Sequence, residues 1–292
     1  MFVLAHVSDI HLAPLPTPRV SELISKRGLG YINWLRKRRA IHRADVLATV
    51  VADLKAQSPD HIAVTGDLIN LSLSNEFAPA LAWLETLGDP RSVSAIPGNH
   101  DAYVRRAGAL AVEQWGDYML GDLGESFPYV RKRGPLALIG LSTSLPTAPL
   151  SATGRLFGNQ IERLAELLPQ LKREQMFRVV LIHHPPTFGA HHFRRLTNAE
   201  ELRDVLQAHG AELVLHGHHH EALLHWLPGP QARVPVIGVP SASGAPGRAH
   251  DEPAGYNLYA IEGAWGAWRC TLIRRSLRDN GMAEIERQIL FA

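Results

Sequence analysis

The sequence predicts an α/β fold built on parallel strands, with a further mixed sheet supplied by its C-terminal part. Three observations carry this expectation. Short apolar runs alternate with amphipathic helical stretches over the first two thirds of the chain. The run Phe177–Ile182 is rich in β-branched residues and too short to be a core helix. From Leu223 to Leu290 the pattern is mostly β, broken by Pro/Gly-rich turns at Pro228-Gly229-Pro230 and Ser241–Gly247.

In order along the chain, Phe2–Val7 reads as a buried strand. Arg43–Gln57 reads as a helix that stops at Ser58-Pro59, where proline cannot continue it. His61–Thr65 is a second strand, and Asn75–Leu87 a helix with Ser74 or Asn75 as N-cap. Val93–Ile96 is a third strand. Gly158–Arg173 is helical, Phe177–Ile182 a strand, Ala199–His209 helical and Glu212–Leu215 a strand. No linker divides the chain, so the expectation is one domain over 1–292, with a basic amphipathic insertion at about 19–43.

Composition bounds the chemistry. The 292 residues are 46% hydrophobic and 20% charged, an ordinary balance for a chain with a sizeable core. One cysteine, Cys270, excludes a disulfide framework and a Cys-type zinc site within the chain and suits a cytoplasmic location. The apolar start, Met1–Ile10, is too short for a signal-peptide core and runs directly into Asp9 and His11. No stretch reaches the roughly 18–20 apolar residues of a membrane span. The net charge of +2 says little about partners, but 16 histidines, many clustered, point to metal ligation.

The polar clusters fall where predicted strands end. Phe2–Val7 leads into Ser8-Asp9-Ile10-His11, His61–Thr65 into Gly66-Asp67, and Val93–Ile96 into Pro97-Gly98-Asn99-His100-Asp101. Phe177–Ile182 leads into His183-His184-Pro185-Pro186, and Glu212–Leu215 into His216-Gly217-His218-His219-His220. In open α/β sheets, ligands bind outside the carboxyl ends of the strands. A metal site needs this convergence, because donors from separate segments must meet around one ion. Oxygen and imidazole donors without thiolate suit Mn, Fe or Zn.

The ordered series Asp-x-His, Gly-Asp, Gly-Asn-His-Asp, His, Gly-His-x-His, spanning Asp9 to His220, resembles the calcineurin-like metallophosphoesterase superfamily. The resemblance implies two mixed sheets packed face to face and flanked by helices. It also implies two divalent ions, Mn foremost. Asp9, His11 and His220 would hold the first, Asn99, His183 and His218 the second, and Asp67 would bridge both. Of the His183-His184 pair, His183 is taken because it directly follows the strand. A bridging hydroxide would attack phosphorus in line, while His100 protonates or hydrogen-bonds the leaving oxygen, oriented by a carboxylate such as Asp101 or Asp9.

Each motif alone has a plainer reading: Gly66-Asp67 and Gly98-Asn99 suit tight turns, and the 216–220 histidine run could be adventitious. Their joint occurrence in order favours the metal centre. His184, His216 and His219 read as bystanders or supporting groups, and His6, His42, His61, His209 and His225 as structural or surface residues. Arg194 and Arg195 follow the His183 loop and are substrate-binding candidates, with Arg155 and Asn159 weaker ones. The insertion, with Arg19, Lys26, Arg27, Arg36, Lys37, Arg38, Arg39 and Arg43 interleaved with Leu23, Ile24, Leu29, Tyr31, Ile32, Trp34 and Leu35, reads either as a solvated basic helix or as a cap beside the site. A cap would collect anionic substrate or rest on an anionic membrane surface at the inner membrane. Nucleic acid is the weaker reading at this charge.

Gly66-Asp67-Leu68-Ile69-Asn70 lacks the Asp-Arg-Gly continuation of Ser/Thr protein phosphatases. The His183–Pro186 loop is similar to bacterial phosphodiesterases of cyclic-nucleotide and glycerophosphodiester type. The Trp-bearing insertion is similar instead to the branch that cleaves the pyrophosphate of UDP-2,3-diacylglucosamine, and a DNA-repair nuclease comes third. A non-catalytic interaction module, like the retromer subunit on this fold, would be expected to lack ligands that are all present here.

Overall fold

The computed structural model describes residues 1–189, 191–245 and 252–291. The chain begins with β1 (Phe2–Val7), then the helices α1 (Val20–Leu23) and α2 (Lys26–Asn33), a π-helical turn (Trp34–Arg38), α3 (Arg39–Ile41) and α4 (Ala44–Ala56). Next come β2 (His61–Val64), α5 (Phe77–Leu87), β3 (Val93–Ala95), α6 (Ala107–Met119), β4 (Tyr129–Arg133), β5 (Leu136–Gly140), α7 (Gln160–Arg173) and β6 (Phe177–Ile182). Then follow α8 (Ala199–His209), β7 (Leu213–His216), β8 (Leu224–Leu227), β9 (Val234–Gly238), β10 (Gly255–Glu262), β11 (Arg269–Arg278) and β12 (Gly281–Phe291).

Two six-stranded sheets form, ordered β12-β11-β10-β1-β2-β3 and β4-β5-β6-β7-β9-β8. In the first, β1, β2 and β3 are parallel, and β10 pairs antiparallel with β1. In the second, β5, β6, β7 and β9 are parallel, with β4 and β8 antiparallel at the edges. Strand periodicity sets the layers, since successive side chains point to opposite faces. Leu4, Ala63, Tyr259 and Leu272 of the first sheet meet Leu138, Val179, Leu181 and Leu215 of the second in one buried cluster. Ala5, Val7 and Val64 face the other way, onto Val50 and Leu54 of α4 and Leu84 of α5. Val180, Ile182 and Val214 likewise meet Leu164 and Leu168 of α7 and Leu202 and Leu206 of α8. The result is the expected pair of mixed sheets, packed face to face between helices.

The structure differs from the sequence reading at several points. The C-terminal strands do not make a sheet of their own: β10–β12 extend the first sheet beside β1, and β8–β9 finish the second. Residues 246 and 247 of the Ser241–Gly247 turn lie outside the described residues. Neither Ser74 nor Asn75 caps α5. The Asn75 amide donates to the Thr17 carbonyl, and the buried Glu76 carboxylate folds back to accept the N–H groups of Asn70, Leu71 and Leu73. The hairpin β4–β5 and the helix α6 were not predicted. In β4, Arg131 is buried because its guanidinium donates to the carbonyls of Leu120, Pro90, Val93 and Asp117. Among the described residues no helix is long and apolar enough to cross a membrane.

Candidate active site

Five loops meet at the carboxyl ends of β1, β2, β3, β6 and β7, so the site straddles both sheets. The backbone there is unusual. Asp9, His11, Asp67, His218 and His220 all have positive φ, between 42° and 74°. Non-glycine residues adopt this region at a cost, and such strain gathers at functional sites. Two glycines admit the crowding. A Cβ on Gly98 would fall on Asp67 Oδ1, and one on Gly217 on Ser8 Oγ, with Asp9 Oδ2 at 2.5 Å.

Two groups of donor atoms face each other across Asp67. In the first, Asp9 Oδ1 lies 3.1 Å from His220 Nε2, and His11 Nε2 lies 3.4 Å from that same nitrogen. Asp67 Oδ2 is 3.8 Å from His11 Nε2. In the second, His183 Nε2 is 3.2 Å from Asn99 Oδ1 and 3.5 Å from Asp67 Oδ2. The His218 ring packs 5.2 Å from that of His183. His183 donates its Nδ1–H to the Thr65 carbonyl at 2.7 Å, and His11 its Nδ1–H to Ile69 at 3.2 Å, which turns both Nε2 lone pairs inward. His218 donates Nε2–H to the Arg194 carbonyl at 2.9 Å, leaving Nδ1 free.

This donor set fits divalent cations. Ligands about 2.0–2.2 Å from one ion sit roughly 3–3.6 Å from each other. Asp9 Oδ1 is buried and accepts no hydrogen bond among the described residues, an orphan that a cation would satisfy. The His11 and His220 nitrogens confront each other and the Asp9 carboxylate, a cluster of donor atoms that a cation would bring together. The electrostatics agree. Burial pushes the Asp67 carboxyl up, but His183 and His100 outweigh it and hold it well below the usual carboxylate range. Burial lowers the His183 imidazole, yet Asp67 and Asp9 raise it to about 9.

The other candidates separate clearly. His184 has both ring nitrogens engaged, with Thr143 Oγ1 at 2.7 Å and the Ala152 carbonyl at 3.1 Å, although one of them lies within 4.8 Å of ring nitrogens of His183 and His218. His100 donates Nδ1–H to the Asn70 carbonyl, and its main-chain N–H donates to Asp67 Oδ1 at 2.7 Å. Asp101 does not orient it. The Asp101 carboxylate accepts the N–H groups of Gly98, Asp67, Leu68 and Ile69 at 2.7–3.1 Å, stitching the loop after β2 to the loop after β3. Arg194 reaches the rim of the cavity over the site; Arg195, Arg155 and Asn159 are exposed and do not line it.

That cavity encloses about 690 Å³. Asp67, Asn99, His100, His218 and His220 form its floor, and Lys26, Leu29, Lys37 and Arg38 of the insertion form one wall. Two residues were missed as site members. His42 lies with its ring 4.3 Å from that of His11 and its Nδ1 2.9 Å from Ser243 Oγ. Arg38 reaches both His11 and His100. Nothing in a run of basic residues distinguishes one that turns inward.

A fold of two mixed sheets with Asp, Asn and His donors gathered at their carboxyl ends defines a metal-dependent phosphoric ester hydrolase. The model of the calcineurin-like phosphoesterase family matches residues 2–222, and the chain belongs to that family. A probable cyclic nucleotide phosphodiesterase of Synechococcus sp. is 27% identical over 231 residues, covering 76% of this chain and 79% of that protein. Among solved structures, a dimetal phosphatase from Danio rerio superposes with a TM-score of 0.64 at 15% identity, covering 99% of this chain and 98% of the other. A purple acid phosphatase from yellow lupin gives 0.59 at 13% identity, with 97% and 52% covered. At these identities the two structures speak for the fold alone.

Proposed function

We propose that the chain hydrolyses a small phosphodiester, of cyclic-nucleotide or glycerophosphodiester type, with two divalent cations, Mn²⁺ foremost, and that it works in the cytoplasm. One observation carries the two-cation reading: Asp67 Oδ2 lies within 3.8 Å of donors from both groups, where a single carboxylate is shared. Asp9, His11 and His220 would hold one cation, and Asn99, His183 and His218 the other. Bound there, the cations would acidify water and neutralise phosphoryl charge. The residues do the rest. The main-chain N–H of His100 fixes Asp67 through Oδ1, leaving Oδ2 for ligation. His100 lines the cavity, and its Nε2, which accepts from Arg38 Nη1 at 2.7 Å, would hydrogen-bond the departing oxygen only after taking up a proton and releasing Arg38. The Synechococcus relative, described as a probable cyclic nucleotide phosphodiesterase, supports a diester over a monoester.

The test is hydrolysis of bis(p-nitrophenyl) phosphate beside p-nitrophenyl phosphate by metal-stripped protein with Mn²⁺ restored. Mn²⁺-dependent turnover of the diester, with little of the monoester, is expected. A monoester preference would remove the diesterase reading.

A specific observation favours a second reading, an amphiphilic substrate such as a UDP-2,3-diacylglucosamine-type pyrophosphate met at a membrane. The insertion turns Tyr31 and Trp34 inward onto Leu15, Leu71 and Leu73, but leaves Leu29, Ile32 and Leu35 exposed beside Arg36 and Lys37. Leu29, Leu150 and Phe193 stand exposed at the mouth of the cavity. Exposed apolar residues ringed by cations suit an anionic lipid surface. The protein should then sediment with phosphatidylglycerol vesicles but not with phosphatidylcholine vesicles, and Leu29→Asp with Ile32→Asp should abolish that. Equal recovery with and without vesicles would exclude the membrane reading.

A further inference from the structure

We infer that Arg38 is a phosphoryl-binding residue of the active site, delivered by the insertion to grip the non-bridging oxygens of the substrate. The inference rests on the phosphoesterase reading above.

The guanidinium lies between two site imidazoles, with Nη1 2.7 Å from His100 Nε2 and Nη2 2.8 Å from His11 Nε2. The His100 tautomer follows from its other partner. Nδ1 must donate to the Asn70 carbonyl, so Nε2 accepts from Arg38. His100 thus positions the guanidinium. Among the described residues no carboxylate forms an ion pair with Arg38, although Asp67 and Asp9 are near enough to act on it through space. A half-buried cation without a direct counter-ion is costly. Cations ligated by the same His11 and Asp67 would raise the positive charge further, and would take His11 Nε2 from Arg38. Its freed N–H groups would then face the cavity beside His100. A tetrahedral phosphoryl group satisfies what remains: it brings the missing negative charge and oxygens for a planar, forked donor.

The local fold places the side chain deliberately. Arg38 closes the π-helical turn Trp34–Arg38. Insertions of this kind in a helix frequently mark functional sites. Trp34 anchors the turn in its own small core, stacked on Tyr31 with centroids 6.1 Å apart. On the far side, the Ala245 N–H donates to the Ile41 carbonyl at 2.7 Å and the Arg43 N–H to the Ser243 carbonyl at 3.0 Å, tying the end of the insertion to the loop after β9. The guanidinium is therefore held from both ends of its segment.

The experiment compares wild type, Arg38→Ala and Arg38→Lys, all Mn²⁺-loaded. It measures metal content, binding of inorganic phosphate by calorimetry, and kcat/KM on bis(p-nitrophenyl) phosphate, with circular dichroism to verify folding. The alanine variant should keep its metal and lose roughly 10- to 100-fold in both phosphate affinity and kcat/KM, as expected for charge-assisted hydrogen bonds. The lysine variant should recover part of each. Unchanged phosphate affinity and turnover would overturn the proposal. So would loss of metal from both variants, which would make Arg38 a builder of the centre instead. A wild-type protein that binds Mn²⁺ but cleaves neither a monoester nor a diester would remove the small-diester reading and not the proposal for Arg38, which the phosphate-binding comparison then decides alone.

Discussion

Asp67 and His100 touch one another through a single main-chain hydrogen bond yet should fail differently when mutated. Asp67 offers Oδ2 to both donor groups, so Asp67→Ala should lower the metal content and cut diester turnover by at least ~100-fold. His100 offers no atom to either group, so His100→Ala should keep its metal while kcat falls about 100-fold. Elemental analysis beside steady-state kinetics separates the two; metal loss from His100→Ala would show that it belongs to the centre. These residues were legible because each motif directly follows a β-branched or apolar run, which fixes both its depth and its end of the sheet. Side-chain direction was not legible. Asp101 stands next to His100 in sequence, yet its carboxylate turns to four backbone N–H groups. Arg38 lies among seven other cations of the insertion and alone reaches the two site imidazoles.

Among the elements, the loops after β2 and β3 are held by buried carboxylates. Asp101 takes the N–H groups of Gly98, Asp67, Leu68 and Ile69, and Glu76 those of Asn70, Leu71 and Leu73. Asp101→Ala should therefore destabilise the fold by about 3 kcal/mol, because four buried N–H groups lose their acceptor. It should also weaken metal retention, as Asp67 rides on the same loop. Urea unfolding of the metal-free variant measures the first effect; a midpoint equal to wild type would contradict it. Strands flanked by polar turns were readable, and β1, β6 and α8 have the expected bounds. Unreadable were α6, which contains Gly108 and Gly116 and follows Arg106 in a left-handed conformation, and β4, whose Arg-Lys-Arg sequence hides a buried arginine. The two glycines of α6 and the cations of β4 obscure the pattern, and packing decides both elements.

Across the whole molecule, two imidazoles are buried on the face that the first sheet turns to the second. His6 bonds Thr65 Oγ1 at 2.9 Å and His61 bonds Ser94 Oγ at 2.8 Å. Burial pushes both down to about 3, helped by His216 for His6 and by Arg133 and Arg131 for His61. Above pH 6.5 these side chains are neutral in folded and unfolded chains alike and impose no penalty. As pH falls from 6.5 toward 3, only the unfolded chain takes up the protons, so each group should cost about 1.4 kcal/mol of stability per pH unit. His61→Gln should flatten the acid limb of a stability–pH curve, and an unchanged slope would sink this account. The strand order carries another consequence. β1 is synthesised first, but its antiparallel neighbour β10 begins only at Gly255, and the partners of Asp9 arrive with His218 and His220. While a ribosome is still making the chain, β1 can pair with β2 yet keeps its other edge bare. A nascent chain of some two hundred residues thus holds half of the first sheet and lacks His218 and His220 of the metal centre, the species most in need of a chaperone and the one most exposed to aggregation if translation stalls.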